Sequence, residues 1–241
     1  MKQLCALSVF ALIFVLGLAR AEDQRSSDVD NKLIEQKQSF SVYQKKADAG
    51  DVNAQHALAY MYLEGKGVAQ DSAKALFWYE KSAENGNIKA QYDLSKILFE
   101  GERVQQDIEK SQYWGEVAAK NGDVDAQRAL GHIYYFGKGI AKDYSKAFYW
   151  TQKAAMNGNA SAQSILSIMY YEGEGVNKDR SKGDYWTRKA AEGGDIGSQC
   201  MLSLMYKGGL GVGKSSVKAE YWYNKATKNG TSPADCRRYK S

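Results

Sequence analysis

All five tryptophans of the 241-residue chain stand 36 residues apart, at Trp78, Trp114, Trp150, Trp186 and Trp222. A period of about 20–50 residues marks a repeat architecture, whose units bury their apolar faces by stacking on one another. Other positions keep the same step: Leu58, Leu94, Leu130, Leu166 and Leu202 form one register, and Gly65, Gly101, Gly137, Gly173 and Gly209 another. A second glycine register runs Gly50, Gly86, Gly122, Gly158, Gly194 and Gly230. The full units are therefore 51–86, 87–122, 123–158, 159–194 and 195–230.

Each unit reads as two antiparallel helices. Asp51, Asn87, Asp123, Asn159 and Asp195 are N-cap residues, with a side-chain oxygen to accept from the unpaired amides of a first helix. The glycine of the 65 register ends that helix, since it enters the left-handed conformation without a Cβ penalty. Asp71, Asp107, Asp143, Asp179 and Ser215 cap the second helix, and the glycine of the 86 register ends it. Ala54, Leu58 and Met61 recur at spacings of four and three, one stripe of a helix. Ala75, Ser111, Ala147, Gly183 and Ala219 precede each Trp by three, leaving room for close approach with the indole filling the core.

The string Ala54-Gln55, Leu58, Glu64-Gly65-Lys66-Gly67-Val68, Ala75 and Trp78-Tyr79 resembles the Sel1-like repeat, a relative of the tetratricopeptide repeat with a longer interhelical loop. The resemblance covers residues 51–230. Arg103 stands where Gly67 would recur, which leaves the conformation of that loop open. The resemblance implies an all-α, right-handed solenoid of antiparallel helix pairs whose first helices line a concave groove receiving a protein or peptide. One stripe of those helices points away from the core and varies among units: His56, Tyr60 and Leu63; Tyr92, Lys96 and Phe99; Arg128, His132 and Tyr135; and then Ile168 and Tyr171. Aromatics and Arg dominate binding hot spots. The 56 and 60 registers are read as groove, while the 63 register divides evenly between groove and packing on a neighbouring unit.

The ends follow different rules. Lys2, an apolar run from Leu4 to Leu18 and Ala19-Arg20-Ala21 read as a signal peptide over 1–21, so that export to a periplasm or the exterior is expected. The run is shorter than the roughly 20 residues that span a bilayer. Removing Lys2 and Arg20 and no acid lowers the formal net charge of +5 by two, to +3, too mild for a nucleic-acid surface. Residues 22–31 read as a mobile leader, 32–50 as a lone N-terminal capping helix, and 231–241 as the stump of a failed repeat.

Little in the chain points to catalysis. Gly208 to Ser215 matches the spacing of a phosphate-binding loop, but it follows a helix instead of a strand and reuses ordinary repeat positions. His56 and His132 have no second ligand at metal-binding spacing, so no metal or cofactor is expected. Cys200 and Cys236, also 36 residues apart, are left open between a disulfide and two free thiols: packed helix axes are about 8–10 Å apart, whereas bridged Cα atoms are about 4.4–6.8 Å apart. The reading is a non-catalytic, monomeric interaction scaffold such as an adaptor in envelope assembly, signalling or host contact. The alternative is a hydrolase acting on cell-wall or β-lactam substrates.

Overall fold

A computed structural model of the chain describes residues 32–137, 140–228 and 236. The expected signal peptide at 1–21, the leader at 22–31 and all of the 231–241 stump except Cys236 lie outside these residues. Eleven helices and no strand occur among the described residues. They are α1 (residues 32–48), α2 (Val52–Glu64), α3 (Ser72–Glu84), α4 (Ile88–Glu100), α5 (Ile108–Lys120), α6 (Val124–Phe136), α7 (Tyr144–Met156), α8 (Ala160–Glu172), α9 (Arg180–Glu192), α10 (Ile196–Gly208) and α11 (Ser216–Lys228). The fold is an all-α solenoid of helix pairs, divided into one unit ending at Gln106 and a second starting at Asp107.

The identical 13-residue lengths of α2 to α10 come from side chains at the ends. Asp51 accepts from the amides of Asn53 and Ala54, and Asp71 from that of Lys74; the same bond recurs at every N-cap through Asp195. Gly65, Gly101, Gly137, Gly173 and Gly209 close the first helices in the left-handed conformation. The second helices close one residue earlier than the glycine register implies. Asn85, Asn121, Asn157 and Gly193 are the caps, and the positive-φ glycine follows each, where the chain turns into the next helix.

In the first unit α2 packs on α3 and α3 on α4. Helix α1 covers the free side of α2: Phe40 lies edge-on to Tyr62 with ring centroids 5.4 Å apart, and Gln55 donates to the Ala47 carbonyl. In the second unit each helix from α5 to α11 packs on the next. One cluster joins Ala154, Ala155, Leu166 and Tyr170, with Phe148, Val176 and Trp186 around it.

The stripe Ala54, Leu58 and Met61 is buried, and Leu94, Leu166 and Leu202 are wholly enclosed. The tryptophans are less central than their register implies. Trp78 and Trp150 are buried, but Trp114, Trp186 and Trp222 are half-buried, so the small leucine-centred layer is the core and the indoles form its rim.

A buried polar register was not anticipated. Gln55, Gln91, Gln127, Gln163 and Gln199 are all buried, and each amide donates to the carbonyl of the alanine eight residues earlier. The loop glycines also have a steric task, because a Cβ at Gly67 would collide with the Gln36 carbonyl and one at Gly175 with the Tyr144 carbonyl. Arg103 settles the loop left open by the sequence. Its φ is not positive, and its guanidinium reaches back to the Leu63 carbonyl at 2.8 Å and to Glu64 at 3.0 Å.

Candidate functional site

In the first unit the face of α2 and α4 carries an open cavity of about 310 Å³. Tyr60 and Leu63 from α2 and Lys96 from α4 line it, as do Tyr79 from α3 and Asp93, Ile97 and Glu100 from α4. Tyr60 is 44% exposed; Lys66 donates to its hydroxyl at 3.0 Å and sits 4.5 Å from its ring centroid. Leu63 is buried, which places this member of the 63 register in the packing. His56 Nε2 lies 2.8 Å from Asp93 Oδ2, a partner contributed by the next repeat that spacing within one helix does not reveal. Its ring also contacts Tyr79. Burial, with the Asp93 carboxylate nearby, pushes the Tyr79 hydroxyl well above the usual tyrosine range.

Tyr92 is half-buried, and Phe99 is exposed. Neither lines the cavity. Lys96 is exposed, its ammonium 3.7 Å from Glu100 four residues on.

In the second unit Arg128 lies 3.6 Å from Asp125, and the His132 ring lies tilted against Phe136 with centroids 4.4 Å apart. Ile168 is 44% exposed. The two tyrosines of the 63 register are tied down by acids. Tyr135 donates to Glu174 at 2.6 Å, and burial together with that bond raises its pKa well above the ordinary value. Tyr171 donates to Asp184 at 2.6 Å and is pushed up to about 12, first by burial and then by Asp184. It fits over Gly183, where a Cβ would strike its ring.

Cys200 and Cys236 form a disulfide with Cα atoms 5.2 Å apart. Helix axes about 8–10 Å apart do not forbid this, because each Cα stands about 2.3 Å off its axis and facing residues approach by that much from both sides. In the segment with phosphate-loop spacing, the amides of Gly209 and Leu210 both donate to the Met205 carbonyl. They are committed to ending α10. Among the described residues no group of three His, Cys, Asp or Glu side chains is placed to hold a metal ion, and no helix is long and apolar enough to cross a membrane.

Sequence reasoning missed two features. Tyr79 and Asp93 come to the cavity from different repeats, and only the stacking brings them together. A second set, Phe77, Tyr113, Tyr149, Tyr185 and Tyr221, precedes each Trp, and every ring is at least half exposed. Each packs edge-on against its Trp. Its 36-residue step was a legible signal overshadowed by the tryptophans.

The family model of the Sel1 repeat matches residues 52–87, 88–123, 124–159, 160–195 and 196–231. Among solved structures, the chain is 32% identical to a Sel1 repeat protein from Oxalobacter formigenes, with a TM-score of 0.70 and 83% of each chain covered. It is 33% identical to c5321, a protective antigen of uropathogenic Escherichia coli strains displaying an SLR fold, with a TM-score of 0.73. That match covers 78% of this chain and 40% of the antigen, so the chain spans less than half of that protein. No curated protein matches the chain significantly.

Proposed function

We propose a recognition role for this chain, which belongs to the Sel1 repeat family. Sel1 repeat proteins are generally non-catalytic scaffolds for protein–protein interaction. The finer reading is an exported scaffold that holds a protein or peptide segment against the exposed face of its first helices.

One observation carries this reading. At the 60 register the backbone and the core repeat, yet the exposed side chain changes from Tyr60 to Lys96 to Ile168. His132 and Leu204 of this register are half-buried, but a position that three units expose with three different side chains suits recognition of a non-repeating partner. Export is supported by the apolar N-terminal run and by the Cys200–Cys236 disulfide, since such bonds persist in oxidising compartments.

The test is Tyr60→Ala combined with Ile168→Ala, scored by cross-linked capture of the partner and by thermal melting. Capture should fall while the melting curve stays in place, because both side chains are exposed. Undiminished capture by the folded double variant would move the site to another face, with the Phe77 and Tyr113 register the next to be tested.

A further inference from the structure

The cavity of the first unit has a charge and hydrogen-bonding character that narrows what it accepts; the inference rests on the recognition reading above. Tyr79 lines the cavity although only 2% of its surface is exposed, and its hydroxyl makes no hydrogen bond among the described residues. The ring is enclosed and the hydroxyl, at the cavity wall, is left open to a group that enters the cavity. That oxygen can therefore accept from a donor placed in the cavity.

Charge says which group. The lining carries the carboxylates of Glu64, Asp93, Glu100 and Glu102 against the cations of Lys96 and Arg103. Arg103 is held by Glu64 at 3.0 Å, and Lys96 faces Glu100 at 3.7 Å. Asp93 is matched by His56, which is charged only when protonated. The rim already hosts an amine, since Lys66 lies over the Tyr60 ring and donates to its hydroxyl. A cation set over an aromatic face and hydrogen-bonded to carboxylates is a favourable arrangement. An anion would enter against the excess of carboxylates, and an apolar group would leave the Tyr79 hydroxyl unpaired.

We propose that this cavity receives the cationic side chain of an arginine or lysine on the partner's peptide, bound by Asp93 and Glu100 and by the Tyr79 hydroxyl oxygen.

The test is NMR titration of the full chain with acetyl-arginine amide, acetyl-citrulline amide and acetyl-glutamate amide. Arginine should shift the resonances of Tyr79 and Asp93 saturably, with the isosteric but neutral citrulline weaker by about tenfold. Tyr79→Phe should weaken arginine binding without lowering the melting temperature, and Lys96→Gln, which removes a competing cation, should strengthen it. Equal binding of citrulline, preference for glutamate, absence of any shift, or full arginine affinity in Tyr79→Phe would each overturn the proposal. Absent cation binding with capture that depends on Tyr60 and Ile168 would refute only the cavity chemistry. Cation binding with capture indifferent to those residues would refute the recognition reading instead.

Discussion

At the scale of single residues, the buried glutamines do the work that a leucine could not. Gln127 donates to the Ala119 carbonyl at 3.0 Å and accepts from the Asn157 side chain at 3.1 Å. Gln163 makes the equivalent bond to Ala155, but its own carbonyl oxygen is buried without a partner. The asparagine that would supply one is replaced by Gly193, where a Cβ would crowd Ala160. Gln127→Leu should therefore lower stability by about 2 kcal/mol, while Gln163→Leu should lower it by about 1 kcal/mol or less, since it also removes an unsatisfied oxygen. Chemical denaturation of the two variants checks the order; equal losses would contradict it. Acid should act through the caps. The amides of Lys74 and Lys182 lower the pKa of Asp71 and Asp179 below the ordinary 3.8. A carboxylate held down in the folded state stabilises it above the unfolded value, and that stabilisation disappears as pH falls through the folded one. Melting curves of Asp71→Asn should thus converge with wild type on acidification below about pH 4. A gap that persists at low pH would assign the effect to something other than the carboxylate.

At the scale of elements, the helix ends were readable in advance because each needs one local residue type: an oxygen over the first amides, a glycine where φ turns positive. The glycines themselves separate into two kinds. Gly158, at φ +86°, has open space around its absent Cβ, whereas Gly175, at φ +71°, has the Tyr144 carbonyl against it. Gly158→Ala should cost about 1 kcal/mol for the backbone conformation alone. Gly175→Ala should cost about 3 kcal/mol, because the loop must also move off α7. Comparable losses in urea unfolding would show that the loop yields freely. The sequence could not separate these two glycines, since the difference lies in how closely a loop approaches the preceding pair. The same limit hid the cavity. Asp93 reads as a solvated acid on its own helix and becomes a partner of His56 only when α4 stacks beside α2. The glutamines were invisible as core for a related reason: the pattern shows a polar residue, not the carbonyl eight positions back that it satisfies.

At the scale of the whole chain, a repeat takes part of its stability from what stacks on each of its sides. The first and the last described helix pairs are held by different means. Helix α1 lays Phe40 on Tyr62 and offers the Ala47 carbonyl to Gln55, so packing and a hydrogen bond hold it on the first pair. At the other end Cys236 is bonded to Cys200, and Ala226, Ile196 and Tyr223 gather around the bridge. A link across 36 residues removes loop freedom from the unfolded chain and is worth about 3–4 kcal/mol. In a stack of repeats that contribution is concentrated in the pair α10 and α11, on which the bridge fastens Cys236. Reduction, or Cys236→Ser, should therefore speed hydrogen exchange in α10 and α11 first and leave α6 to α8 protected. The protein made in a reducing compartment should show the same local fraying, which oxidation would reverse. Uniform loss of protection from α6 to α11 would mean that these helices unfold as one cooperative block. Unchanged exchange on reduction would mean that packing around Ala226 already holds this pair, and that the disulfide adds nothing to it.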